Sequence, residues 1–199
     1  MKAVVGAVLM VTAAFAAEPR LRVSAAQPWS DAMHTAYGVL PELGVGVSFE
    51  RAKNLAALLE IAGSYAASRP ASGNTKLWDA SLRGGLEIGT GAPVGLYVTP
   101  GLQVTFAGEQ FPSYDTLGGV ISRRWYGGAA IGAFLNAGVL LFNAGKWHVD
   151  VEAGVDGVSV PTERNEGDVV WWGYYPYYRI DLGTLNLGLV LRWAGPSEK

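Results

Sequence analysis

The chain has no cysteine, few charges and, beyond its first residues, no long apolar run. Without cysteine there is no disulfide, no thiol nucleophile, no thiolate metal centre and no lipid anchor built on a modified cysteine. Charged residues make up 16% of the 199, well under the roughly one quarter typical of soluble domains. The net charge of -2 carries none of the clustered Lys/Arg that nucleic-acid binding requires. Histidine is scarce too: His34 and His148 alone are available for imidazole chemistry. A membrane helix would need about 18 unbroken apolar residues, and no such run follows the N-terminus. Yet 50% of the residues are hydrophobic, 27 are glycine, and the mean hydropathy is +0.20. The glycines follow no G-x-y repeat, which excludes a collagen-like chain. The surplus apolar surface must therefore be organised by something other than a spanning helix.

The first residues read as an address. Lys2 supplies a positive start, residues 3–15 an apolar stretch, and Ala14-Phe15-Ala16 a small-x-small cleavage site. This is the pattern of a secretory signal peptide. It sets the expected boundaries at 1–16 for the signal peptide and 17–199 for the mature domain, which crosses the inner membrane.

In the mature part the dominant signal has period two. Val94, Leu96, Val98, Leu102, Val104 and Phe106 alternate with Gly95, Tyr97, Thr99, Gly101, Gln103 and Thr105. Successive strand side chains point to opposite faces, so this is a strand with one apolar side and one small or polar side. Its length is the informative part. Soluble strands run to about 5–6 residues, whereas a tilted strand crossing a bilayer needs about 9–11. The pattern recurs to give eight strands, near 19–27, 37–50, 55–67, 77–89, 94–107, 124–141, 146–158 and 177–193. Residues 55–59 also fit a helical turn. The connections alternate in length: 51–54, 90–93 and 142–145 are tight turns, while 28–36, 68–76, 108–123 and 159–176 are long. Even strand number with alternating short and long connections is the plan of an outer-membrane barrel.

In lipid every backbone polar group needs a protein partner, so the sheet must close on itself. The expected fold is all-β: an eight-stranded antiparallel up-and-down transmembrane β-barrel. At eight strands side chains fill the interior. The inward positions carry Arg20, Arg22, Glu42, Glu60, Arg83, Glu87, Asp150, Glu152 and Arg192, joined by Glu50, Asp79, Gln103 and His148. Buried charges of both signs are tolerable when paired, so an ion-pair network with little or no open pore is expected. Tyr65, Trp78, Trp125, Trp147 and Trp193 lie near strand ends, where aromatic girdles meet the headgroups.

The last strand ends in Asn186-Leu187-Gly188-Leu189-Val190-Leu191-Arg192-Trp193. Asn186, Gly188, Leu191 and Trp193 there resemble the C-terminal assembly signal of outer-membrane proteins, although Ala194 to Lys199 follow the final aromatic. Across 19–193 the chain resembles the small eight-stranded outer-membrane barrel group typified by OmpA, OmpX and OmpW. The resemblance is architectural. It implies an outer-membrane location, lipid as the surrounding partner, and help from periplasmic chaperones and the outer-membrane assembly machinery.

Enzymes exist on barrels of this size, but a rim hydrolase would need His, Ser and a carboxylate held together. His34 lies near Ser30 and Asp31 in one loop, His148 lies near the periplasmic end, and neither has a serine two residues on. Asp150, Glu152 and Asp156 spread along a strand, unlike the converging oxygens calcium takes. No zinc spacing, phosphate loop or nucleotide fingerprint is present, so no cofactor is expected. The segment Trp171, Trp172, Tyr174, Tyr175, Tyr177 and Tyr178 is the most unusual. It reads either as a surface-interaction loop, since aromatics offer large contact area, or as part of the outer girdle. The leading expectation is a non-enzymatic barrel acting in envelope structure or surface interaction. A narrow channel for small apolar molecules and a soluble periplasmic lipocalin-type barrel stay open, because alternation alone does not say which face meets water.

Overall fold

The computed structural model describes residues 17–52, 54–69, 75–90, 95–114, 120–163 and 177–193, with backbone only at 51, 111–114, 120–124, 162, 163, 177 and 178. The strands are β1 (Ala17–Pro28), β2 (Leu40–Ala52), β3 (Leu55–Ala67), β4 (Lys76–Gly89), β5 (Leu96–Tyr114), β6 (Val120–Ala144), β7 (Trp147–Gly157), β8 (Ser159–Glu163), β9 (Tyr177–Asp181) and β10 (Thr184–Trp193). One helix, α1 (Asp31–Tyr37), lies between β1 and β2. Eight of the strands close a barrel in the order β1-β10-β7-β6-β5-β4-β3-β2, all antiparallel, and β8 pairs with β9.

Closure is made by β1 and β10, in register from Arg20 opposite Arg192 to Pro28 opposite Thr184. Register can be followed around the whole wall from Ile131 through Val104, Leu82, Ile61, Val45, Leu21, Leu191 and Val149 to Phe142. The path returns to β6 eleven residues further along, one of them the bulge at Leu141. Such a stagger requires the strands to tilt by about 40° from the barrel axis. Every side chain on this circuit is apolar and faces outward. Ile131 at 77% exposure and Leu102 at 66% mark the extreme. Arg22 and Glu152, on the opposite face of the same wall, are each 1% exposed. The soluble-barrel alternative needs the reverse, apolar inside and charged outside, and is therefore excluded.

The wall ends differ. At the turn end β2–β3, β4–β5 and β6–β7 are joined by short connections, with Asn54, Gly95 and Gly145 at positive φ (69°, 60° and 63°). At the loop end lie α1, the β8–β9 hairpin and the extended β5–β6 ladder. Tyr65 and Trp78 sit opposite each other there, both exposed, and the Trp78 indole lies against Gly108. At the turn end Phe142 and Trp147 are exposed in the same way.

The strand expected at 55–67 is found there, with 55–59 laddered to 84–88 rather than forming a helical turn. Several other expected boundaries change. The long connection expected at 108–123 is mostly strand, because β5 and β6 stay paired from Leu96 opposite Val139 up to Tyr114 opposite Val120. The turn expected at 142–145 tightens to 145–146, with Ala144 opposite Trp147. The connection expected at 28–36 lengthens to 29–39 and holds α1, so that β2 starts at Leu40 rather than at 37. The strand expected at 177–193 is two strands: the chain bends at Leu182-Gly183, and β9 turns to pair with β8. The bend is held by Leu182 N–H donating to the Val158 carbonyl (2.9 Å) and Trp29 N–H donating to the Gly183 carbonyl (2.8 Å). Residues 1–16, expected from the sequence to be a signal peptide, lie outside the described residues, as do Trp171, Trp172, Tyr174 and Tyr175. Tyr177 and Tyr178 open β9.

Candidate functional site

Among the described residues, the lumen is where this sequence gathers chemistry-bearing side chains, and its content follows from strand parity. Even-numbered positions of β1, β2, β3, β7 and β10 face inward, as do odd-numbered positions of β4 and β5. That brings residues far apart in sequence into three stacked layers.

Arg83 organises the layer nearest the loop end. Its guanidinium donates to both Glu42 oxygens (3.1 and 2.9 Å), to Asp156 Oδ2 (2.9 Å) and, through Nε, to Gln103 Oε1 (3.0 Å). Ser24 donates to Glu42 (3.2 Å) and Asn186 to Asp156 (3.2 Å). The planar fork of arginine suits such two-pronged binding of carboxylates. In the middle layer Arg22 bridges Glu42 (2.5 Å) and Glu60 (2.8 Å), and Arg20 meets Glu152 (3.0 Å) and Glu60 (3.4 Å). Asn136 donates to the second Glu152 oxygen (3.0 Å). Nearest the turn end, Arg192 pairs with Glu87 (2.5 Å) and Asp150 (2.6 Å) and stacks over the Tyr97 ring at 4.3 Å. The Tyr97 hydroxyl donates to Glu152 (3.2 Å) and lies 3.3 Å from Asp150. Tyr97 lies flat across β6 at Gly138, where a Cβ would run into the ring; any larger residue would displace it.

All nine charged residues expected in the interior network line the lumen. Among the four added to them, Gln103 is buried, Asp79 and His148 are half-buried, and Glu50 is exposed. Glu50 departs because it lies beside the bulge at the end of β2, where register with β3 shifts and the chain leaves the wall. Sequence reasoning left out Asn136, Asn186, Phe134 and Tyr97. Tyr97 was visible on the polar face of β5. Asn136 and Phe134 were masked by the alanine and glycine around them, which blur the alternation of β6.

Above the charged layers the inward residues change character. Ala26, Leu40, Leu77 and Ala107 continue the inward faces of β1, β2, β4 and β5, and are nearly or fully buried. They meet Val158, Val160, Ile180 and Leu182 from the hairpin and Met33 and Tyr37 from α1. This apolar cap spans the loop end. Tyr37 fastens it, its hydroxyl bonded to Thr75 Oγ1 (2.7 Å) and Glu109, while Arg69 N–H donates to the Ala36 carbonyl (2.7 Å). Gly128 lets β8 approach β6: a Cβ there would collide with the Pro161 carbonyl oxygen. Between cap and Arg83 lies a chamber of about 20 Å³, lined by Glu42, Asp79, Asp156 and the hydroxyls of Ser64, Ser81, Thr105 and Thr184. Ser64 donates to Asp79. The chamber has room for about one water molecule.

The remaining candidates disperse. His34 lies half-buried on α1 and His148 half-buried on β7, near the turn end. Among the described residues no group of three or more His, Cys, Asp or Glu side chains is placed to hold a metal ion. On β10, Asn186 is inside the lumen, Gly188 packs on Ser24, and Leu191 and Trp193 are half-buried.

No family model matches the chain, and no curated protein matches it in sequence. Solved structures are similar. Neisserial surface protein A shares 16% identity at TM-score 0.52, over 90% of this chain and 96% of that one. A major outer membrane protein from Thermus thermophilus shares 13% at TM-score 0.54, over 89% and 100%. The outer membrane protein AlkL shares 11% at TM-score 0.51, over 92% and 92%. At these identities the likeness is one of fold: a closed eight-stranded barrel of the outer-membrane type.

Proposed function

We propose that this barrel sits in a bacterial outer membrane as a non-enzymatic, non-conducting anchor that presents its loop end for envelope structure or surface interaction. The observation that carries this reading is the filled lumen. Three ion-paired layers and an apolar cap occupy the axis, while the outer wall is apolar around its full circumference. Such a wall is stable in hydrocarbon, where each Arg or Lys placed on it would cost about 2–4 kcal/mol at the midplane. The short turns then belong in the periplasm and the long connections outside. On this reading β10 with Asn186, Gly188, Leu191 and Trp193 is what the assembly machinery recognises.

Two measurements test it together. After cell fractionation the protein is expected in the outer membrane, with faster mobility in unboiled detergent samples than in boiled ones. Reconstituted into a planar bilayer, it is expected to add no stepwise conductance. Recovery as a soluble periplasmic protein would sink the location, and regular conductance steps would sink the filled-lumen reading.

A further inference from the structure

The outer wall is not smooth at the strands that close the barrel. An open groove of about 540 Å³ runs down its outer face. It starts beside Val39 and Pro41, crosses Ala25 of β1, and ends beside Leu189 of β10 and Val151 of β7. Local sequence accounts for the hollow. Ala25 stands in register between Pro41 and Leu187, so a methyl group lies where Leu21 and Val23, on the same outward face of β1, carry branched side chains. Beneath it Ser24 turns inward to Glu42 and Gly188 packs on Ser24, so both offer the groove backbone.

The direction of the groove is informative. The register path descends toward the turn end as it passes from β2 through β1 and β10 to β7. Register carries Val151 through Leu189 and Val23 to Leu43, four residues below Val39. Four residues along a tilted strand and three strand spacings across, both descending, give a drop of roughly 20 Å nearly parallel to the barrel axis. That is about half of the ~40 Å a bilayer spans with its interfacial regions. At the upper end the chemistry changes. Gln27, exposed opposite Leu185, is the one polar side chain on the outward face of β1. Trp29, just beyond β1, is exposed with its ring against Gly183, as tryptophans at headgroup level are.

We infer that the groove holds one acyl chain of an outer-leaflet lipid, with Gln27 hydrogen-bonded to the carbonyl of that chain's ester or amide linkage. The groove is continuous with the lipid-facing wall, so hydrocarbon is what surrounds it, and it has the depth of a single leaflet. A chain seated in it touches protein on three sides rather than one, and dispersion attraction grows with the number of touching atoms. The Gln27 carboxamide has both a donor and an acceptor for the polar linkage. A second barrel would present a convex wall of the same kind, which bridges the hollow and leaves it unfilled. The inference goes beyond the surface role proposed above and requires only that the wall be embedded in lipid.

The test reconstitutes the whole barrel in vesicles of dimyristoylphosphatidylcholine with a trace of phosphatidylcholine carrying a diazirine at mid-chain. After photolysis, the labelled positions are mapped by peptide mass spectrometry. The expected result is label several-fold denser at Ala25, Leu187 and Val151 than at Leu82 and Leu102, which are exposed elsewhere on the wall. Ala25→Phe fills the hollow and should bring the groove down to the level of the remaining wall. Gln27→Leu should lower the groove label while the heat-modifiable band persists. Uniform labelling of the wild-type wall would overturn the proposal, as would groove labelling that Ala25→Phe leaves unchanged. Dimers cross-linked through these strands, with the groove unlabelled, would assign it to a second copy and overturn the proposal too. A chain that never enters the vesicles would sink the location as well, whereas uniform labelling sinks this inference alone. If Ala25→Phe fails to fold, the wild-type ratio decides by itself.

Discussion

The two ends of the lumen solve the same packing problem with opposite chemistry. Toward the turn end the inward residues are arginines and carboxylates that neutralise one another across the axis. Toward the loop end the same strand parity continues, but Ala26, Leu40, Leu77 and Ala107 meet an apolar helix and hairpin. The difference lies in what each end has to pack against. In the charged region the partners within reach are side chains on the opposite wall, and an arginine is long enough to reach them. At the loop end an extra layer of backbone enters, and small or aliphatic residues leave room for it.

Three substitutions break or sharpen this contrast. The largest effect is expected from Arg22→Ala. It strips Glu42 and Glu60 of their 2.5 and 2.8 Å partner and should cost about 3–5 kcal/mol, as removal of one member of a buried ion pair does. Urea unfolding in liposomes measures it, and a loss under about 1 kcal/mol would mean that the network contributes no more than an exposed pair does. Next is Leu102→Arg, on the lipid side of the same wall, next to inward Gln103. A guanidinium tolerated inside should cost about 2–4 kcal/mol outside. Normal assembly of this variant would refute the assigned orientation. The smallest is Gly128→Val, where the new Cβ meets the Pro161 carbonyl oxygen. Overpacking of this kind costs about 1–3 kcal/mol. Here it should loosen the cap alone: protease should cut within 159–181 while the heat-modifiable band persists. Simultaneous loss of the whole barrel would show that cap and core are one cooperative unit.

Much of the fold was legible because alternation is local. A residue's face follows from counting by two, so the parity of Arg20, Arg22, Glu60 and Arg83 could be read without knowing any partner. The strand breaks were less legible for the same reason. Ile180 and Leu182 keep the alternation of β10, so β9 reads as more barrel, while β8 falls within the long connection expected at 159–176. The usable signal is the switch of inward type, from Asp156 to Val158 and from Thr184 to Leu182. It marks where the wall stops facing a charged lumen. In the loop at 28–36, α1 is only seven residues long. Isolated helices that short are marginal, and this one is secured by burying Met33 and Tyr37.

The sequence by itself determined that most of the chain alternates, that its strands are long enough to span a bilayer, and which face of the cleanly alternating strands is charged or polar. Each of those properties resides in neighbouring residues. Only the tertiary structure decided the pairing. Arg83 takes Glu42 and Asp156, Arg22 takes Glu42 and Glu60, and Arg192 takes Glu87 and Asp150 because closure and stagger set their heights along the axis. It also decided that four apolar residues beyond the charged faces form a cap. Hydrophobicity favours burial but carries no direction, and burial against lipid or against a helix looks the same along the chain.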